Sequence, residues 1–327
     1  MQFGRRTALG GVLTTALTAA LAGGARARDW PEKTVTWIVP FAAGGPSDVF
    51  ARSLAQSVSE RIGQTVIVDN RSGAGGSIGA AIAARAPADG YAMLVGFTGH
   101  TYASLIFANP GFDLARDFAP ISAIDRVQSV LLVNPRRLDV STLERFLDTA
   151  RQRPDSIDMA SGGLGTVPHL AIELLQNVAG IKLRHIPYRG GAPAFQDLLA
   201  GQVAAMFGTA GIAGSHVRSG ALRALAVAGR RRESLLPGVP TFEEAGLANF
   251  RAVSWDGLFA PAATPQPVLD RVHAVVQAAL GSESLEREWA EQGARVELES
   301  RADFADFVTQ ETARWSAVIR AAGLKPE

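Results

Sequence analysis

The chain of 327 residues contains no cysteine. That excludes disulfides, thiolate metal sites, a cysteine nucleophile and a lipid-modified N-terminal cysteine. Lysine is almost as scarce: three lysines stand against 29 arginines. The five histidines, His100, His169, His185, His216 and His273, show neither an i, i+4 pair nor H-E-x-x-H spacing, so no metal site is expected. No G-K-[ST] occurs, which excludes a P-loop. The stretch "GAGGSI" (73–78) fails as a dinucleotide fingerprint, because Ile78 stands where the last glycine is needed. No cofactor is expected.

At 47 % hydrophobic and 19 % charged residues, the chain is a folded globular protein. Its start reads as an export signal. Arg5 and Arg6 precede a small apolar run, and "ARA" (25–27) supplies a cleavage site. Residues 1–27 are expected to be removed near Ala27, by the general secretory or the twin-arginine route. The run is too short and too rich in Ala, Thr and Gly to read as an anchor. Losing Arg5, Arg6 and Arg26 takes the formal net charge from +1 to −2. A slightly acidic mature chain argues against nucleic acid or an anionic membrane as partner, and a soluble periplasmic protein is expected.

Strand and helix patterns then alternate. "TVTWIVPF", "TVIVDN" and "YAMLVGF" are apolar strands. Between them lie a helix over 47–62, with Ser47 as its N-cap, and a helix in "GSIGAAIAARA". This β-α-β-α-β order predicts a parallel sheet. "FAPISAIDRVQSVLLVNP" (118–135) is a long extended run that leaves one domain for another. A capping box at 141–144 opens a helix, Thr166 opens the next with Pro168 in its first turn, and "GGAPAFQDLLAG" forms a third. A second extended run at 250–261 returns the chain. The last helix starts at Ser300 and buries Phe304, Phe307, Val308, Trp315, Val318 and Ile319. Two α/β lobes joined by two crossover strands are predicted, lobe 1 from 28–128 and 253–327, lobe 2 from 129–252. A ligand would sit between them.

Three loops share one property. "FAAGGPSD" (41–48), "SGGLGTVPH" (161–169) and "YRGGAP" (188–193) each follow a strand and open a helix. Each aims unpaired N–H groups and the positive end of a helix dipole at one point. Such a clamp suits a carboxylate. Gly44, Gly45 and Ser47 are candidate donors on one jaw; Ser161, Gly165 and Thr166 are candidates on the other. Asp48 either shapes the first loop, the preferred role, or accepts from a ligand amine or hydroxyl. Arg189 is the nearest cation, with Arg71 and Arg126 behind it. His100 and His169 either meet the ligand or serve the fold. "GGSIG" (75–79) matches G-x-S-x-G, so an exported hydrolase using Ser77 is the competing reading. Its serine stands too far past the strand for a nucleophile elbow.

Taken together, "WPEKTVTWIVPFAAGGPSDVFAR", "VDNRSGAGGSIGA", "APADGYAMLVG", "ASGGLGTVPHLAIELL", "HIPYRGGAPAFQDLLAGQV" and "GLFAPAATP" resemble the Bug receptors of tripartite tricarboxylate transporters, over essentially the whole mature chain. The resemblance implies a two-lobe α/β periplasmic binding protein of type II, the Venus-flytrap kind, and no catalysis. It implies a monomer that captures a small carboxylate and delivers it to a two-component membrane permease; an orphan receptor or a sensor would use the same closed form. It places the ligand carboxylate on the loop from Phe41 through Ala42 to Asp48, with the loop from Ser161 to His169 opposite. Ala42 replaces the usual second proline. Gly208 stands where many relatives carry a polar residue, which should enlarge the pocket. His100, Tyr188, Thr209 and Asp256 are the expected selectivity positions, and Thr98 is a further expected ligand contact.

Overall fold

A computed structural model describes residues 30–248 and 250–326. The expected export segment, 1–27, lies outside the described residues. The first elements are β1 (Val35–Val39), α1 (Pro46–Ile62), β2 (Val66–Asn70), α2 (Ser77–Ala84) and β3 (Ala92–Phe97). β1 pairs in parallel with both β2 and β3. α1 presents Phe50, Leu54 and Val58 to the core, and Gly63, at φ 66°, closes it in a conformation that favours glycine. Its N-cap is Gly45, not Ser47. Proline at the first helical position needs no N–H and moves the cap two residues earlier than expected.

Two short helices, α3 (Ala103–Ile106) and α4 (Leu114–Asp117), lead into β4 (Phe118–Val133), the long extended run expected from the sequence. The second half contains α5 (Leu143–Gln152), β5 (Asp158–Ser161), α6 (Val167–Ala179), β6 (Arg184–Pro187), α7 (Gly191–Ala200), β7 (Ala205–Thr209), α8 (Ala210–Arg218) and β8 (Arg223–Val227). α5 is capped by Thr142, whose hydroxyl accepts from the Arg145 N–H at 3.2 Å, one residue later than the expected cap. β9 (Val253–Pro261) then returns, followed by α9 (Gln266–Leu280), α10 (Glu283–Glu291), β10 (Ala294–Val296) and α11 (Arg301–Ala321).

The strands run in the order β2-β1-β3-β9-β4-β7-β5-β6, with β8 and β10 also on β4. Each half is parallel, but the crossing strands are not. β9 is antiparallel to β3 and β4, and β4 is antiparallel to β7 and β8. β4 pairs with β9 from Phe118 to Gln128, and with β7 and β8 from Ser129 onward.

α11 packs against both halves. Ser300 caps it by accepting from the Asp303 N–H at 3.1 Å. Phe304 and Val308 pack with Trp255 and Phe259, while Trp315 and Ile319 enter the core built around β5 and α6. Phe307 and Val318 are only partly buried. Gly257 in β9 lies close against this helix, because a Cβ there would collide with the fully buried Phe304 ring. Gly257→Ala should therefore overpack the core and lose about 1–3 kcal/mol of unfolding free energy, read by urea denaturation.

Candidate functional site

The loop between β1 and α1 is built around one carboxylate. Asp48 is 2 % exposed. Its Oδ2 accepts from the Gly44 N–H at 2.8 Å and from Arg52 Nε at 3.0 Å, and its Oδ1 accepts from Asn70 Nδ2 at 2.8 Å. The Asn70 amide also reaches the Phe41 carbonyl at 3.1 Å. Burial pushes the Asp48 carboxyl up, but the Arg52, Gly44 and Asn70 hydrogen bonds, with the Arg52 charge, hold it below its ordinary value. Gly44 therefore has no free donor, contrary to expectation. Its φ of 84° is what lets the loop turn. The first intrahelical bond of α1 runs from the Val49 N–H to the Gly45 carbonyl at 3.0 Å. The N–H groups of Ser47 and Asp48 precede it and have no intrahelical acceptor.

The loop after β5 uses the same design. The Ser161 hydroxyl accepts from the Gly163 N–H at 3.1 Å and lies 2.6 Å from His185 Nε2. The Thr166 hydroxyl donates to the Gly163 carbonyl at 2.7 Å, and the Gly165 N–H donates to His169 Nδ1 at 3.0 Å. His169 stacks on His185, with centroids 4.3 Å apart. The expected donors Ser161, Gly165 and Thr166 are thus committed to the shape of the loop. The Val167 N–H, ahead of the first intrahelical bond of α6, is left at this helix end. The third loop lies against the second, where the Gly190 N–H donates to the Gly162 carbonyl at 3.1 Å. Helix α7 begins there. The two halves meet where the Tyr102 hydroxyl donates to the Gly165 carbonyl at 3.0 Å.

Several expected ligand residues are occupied elsewhere. The Thr98 hydroxyl accepts from the Trp255 N–H at 2.9 Å, which ties the turn after β3 to a crossing strand. His100 is buried beside Phe97 and Phe112, and its ring joins the Phe97 N–H and the Gly76 carbonyl. The Tyr188 hydroxyl donates to Asp197 at 2.7 Å. Gly208 does not enlarge a pocket: a Cβ there would lie 2.7 Å from the Leu132 methyl, so Leu132 already fills the space. Arg71 pairs with Asp69, Arg126 pairs with Glu297 and Glu299, and Arg189 is exposed. Phe41 packs edge-on against Phe97, and Ala42 is exposed. Thr209 is the N-cap of α8, and its hydroxyl makes no capping bond. Asp256 lies opposite Phe97 across the β3–β9 pair and opposite Asp125 across the β4–β9 pair.

The sequence reading missed Asn70, Arg52, His185, Tyr102 and Asp125. Asp125 left a signal, being a carboxylate inside an apolar extended run. Arg52 left one too, standing four residues after Asp48 on the same helix, while Asn70, His185 and Tyr102 act through partners distant in sequence. Two cavities, of about 770 and 600 Å³, lie off the three loops. The first is on the α11 face of the crossing strands. The second includes His100. The three loops are preferred to both as candidate site, because each opens a helix whose first N–H groups have no intrahelical acceptor.

Two tests address this machinery. Asp48→Ala strands the Gly44 and Asn70 donors and should cost about 3 kcal/mol in urea denaturation. The second test is acid stability. Burial pushes His100 down to about 3, against its bond to the Gly76 carbonyl. Burial, then the neighbouring His185, pushes His169 down to about 4. A histidine with a depressed folded value contributes stability that is complete above 6.5 and is lost as pH falls toward the folded value. Each loses about 1.4 kcal/mol per pH unit in that window. Asp256, raised by burial to about 6, acts with the opposite sign, gaining stability as pH falls from about 6 toward 3.8. Between pH 7.5 and 4.5, His100→Gln should therefore lose about 3 kcal/mol less than the unaltered protein.

Residues 50–324 match the family described as tripartite tricarboxylate transporter family receptor. The chain is 36 % identical over 317 residues to a UPF0065 protein from the tcbD-tcbE intergenic region of Pseudomonas sp. (strain P51), covering 97 % of this chain and 94 % of that one. It is 35 % identical to BugT of Bordetella pertussis, covering 94 % and 95 %. Among solved structures, Rpa4515 of R. palustris with adipate superposes with a TM-score of 0.81 at 36 % identity, over 91 % of this chain and 100 % of that one. MatC of Rhodopseudomonas palustris with bound malate gives 0.77 at 32 %, over 89 % and 100 %. The periplasmic binding protein BugD gives 0.78 at 34 %, over 91 % and 100 %. These are solute-binding proteins, not enzymes. Ser77 agrees with that: it is 3 % exposed, and the only histidine at its turn, His100, has both ring nitrogens engaged. The fold is that of a two-lobe periplasmic binding protein, and the chain belongs to the receptor family of tripartite tricarboxylate transporters.

Proposed function

We propose that this solute-binding receptor captures a small carboxylate between its lobes and hands it to a two-component membrane permease. Lobe 1 is residues 28–128 with 253–327, and lobe 2 is residues 129–252. Residues 1–27 act as the export signal, and the mature chain works in the periplasm as a monomer. Among the described residues, no helix is long and apolar enough to cross a membrane.

The observation that supports this reading is the set of helix N-termini at the loops. α1 begins in lobe 1, and α6 and α7 begin in lobe 2. The polar side chains of these loops hold the loops, so main-chain N–H groups remain for the ligand. Ser47 and Asp48 offer them from α1, and Val167 from α6. Thr209 and Asp256 border the space between. Each charge-assisted bond from such a group contributes roughly 1.5–3 kcal/mol. Three helix dipoles add to them without a buried countercharge. Contacts from both lobes favour the closed form, so binding drives closure. Adipate and malate in the two relatives belong to the same class of solute.

A thermal-shift screen of residues 28–327 against a carboxylate library tests this. A ligand at one hundred times its Kd adds about 2.7 kcal/mol, a shift of a few degrees for a chain of this size. Hits confined to carboxylates, lost in Ser47→Trp, would support the reading. A chain refolded without ligand that still gives no carboxylate hit would end it.

A further inference from the structure

The N-terminus of α6 keeps one uncommitted main-chain donor among the described residues. Pro168 carries no N–H, and the His169 N–H goes to the Thr166 hydroxyl at 3.4 Å. The first intrahelical bond runs from the Leu170 N–H to the Thr166 carbonyl at 3.0 Å. The Thr166 N–H turns back to the Gly163 carbonyl at 3.4 Å. Val167 is left, so the direction of one N–H decides what this helix end can hold.

That direction is set in part by the other half of the molecule. Gly165, next to the cap, lies at φ 71°, and a glycine holds no conformation firmly by itself. Its N–H donates to His169 Nδ1 at 3.0 Å, and its carbonyl accepts from the Tyr102 hydroxyl at 3.0 Å. Ile106 lies against it: a Cβ at position 165 would come within 2.8 Å of the Ile106 Cγ2 methyl. Tyr102 and Ile106 come from the stretch between β3 and β4, yet both are buried in the core built around β5 and α6.

Tyr102 is itself well anchored. Its ring meets Trp315 of α11 edge-on at 6.1 Å, and Trp315 Nε1 donates to Glu311 at 3.0 Å. Burial, then the Glu311 carboxylate, pushes the phenol above its ordinary value against the Arg314 guanidinium, so it keeps its proton and donates. Four residues earlier, the Thr98 hydroxyl accepts from the Trp255 N–H. The turn from Thr98 to Tyr102 is a strut from β9 to the loop after β5. A phenylalanine would fill the same space against Trp315. The hydroxyl adds a single bond among the described residues, and that bond goes to Gly165.

We infer that Tyr102 is a positioning residue for ligand binding: it fixes the Gly165–Thr166 peptide from the other half and so aims the Val167 N–H at the bound carboxylate. This rests on the carboxylate reading above. Because the bond spans the halves, the α6 terminus is fully set only while they are together. Tyr102 therefore slows release of the ligand and leaves capture unchanged.

The test compares the mature protein with Tyr102→Phe and with Leu147→Ala, a truncation in the same core but away from the loops. Without ligand, Tyr102→Phe should speed amide hydrogen exchange at Gly165 at least about tenfold and leave the loop at 41–48 unchanged. Leu147→Ala should lower thermal stability without that local change. Binding is then followed by calorimetry and stopped-flow tryptophan fluorescence with succinate, malate, glutamate, adipate and benzoate. For whichever acid binds, Tyr102→Phe should raise Kd at least about fivefold, through faster dissociation at an unchanged association rate. Leu147→Ala should keep the Kd of the unaltered protein. Unchanged exchange at Gly165, an unchanged Kd, or equal losses in the two variants would overturn the inference and leave the carboxylate reading standing. No binding by any of these acids would remove both.

Discussion

The chain passes between its two halves only on β4 and β9 among the described strands, and these two pair with each other along the crossing. Gln128 faces Val253 at one end of the pairing, and Phe118 faces Pro261 at the other. Both halves are therefore anchored to one antiparallel ribbon. Thr98 fastens the turn after β3 to the backbone of β9. α11 lies along the ribbon with Phe304 in one core and Trp315 in the other. Asp125 and Asp256 lie in the ribbon itself, as register partners.

The loops around the cleft divide their polar groups in a consistent way. Side chains hold the loops, and main-chain N–H groups face outward. Glycine-rich loops lose much conformational entropy when ordered. Something must fix them before they can bind at low cost. Asp48, Arg52 and Asn70 do this after β1; Ser161, His169 and His185 do it after β5. The imidazoles are suited to the task because burial keeps His100 and His169 neutral at physiological pH. A neutral ring accepts an N–H at one nitrogen, as His169 does from Gly165. A charged ring could not.

Much of this could be read from local sequence. Helix α11 was legible because its period of 3.6 and its Ser300 cap are both short-range signals. The long strand β4 was legible because sixteen extended residues have no helical periodicity. The family followed from many ordered segments, none sufficient alone. What escaped was decided at long range. Gly208 looked like an opening in the pocket, but Leu132, a residue of a different strand, fills it. Ser161 looked like a ligand donor, since nothing nearby in sequence announces that His185 will come to lie against it; Gly165 and Thr166 are instead engaged locally, by His169 and Gly163. The N-cap of α1 was misplaced because a serine cap and a proline at the first helical position compete, and the proline won. Asp125 was legible as an anomaly, a charge inside an apolar run, but its partner 131 residues away was not.

The scarcity of cations around the cleft has a physical consequence for delivery. A buried arginine facing a carboxylate would give a strong, slowly reversed pair, since breaking such a pair leaves a desolvated charge behind. Main-chain N–H groups at helix ends attract an anion with partial charges that are already part of the fold. When the ligand leaves, no full charge is stranded. A receptor that must release its solute to a partner gains from this: dissociation leaves behind groups that water can solvate at once. Selectivity then cannot come from strong attraction and has to come from the groups bordering those N–H donors.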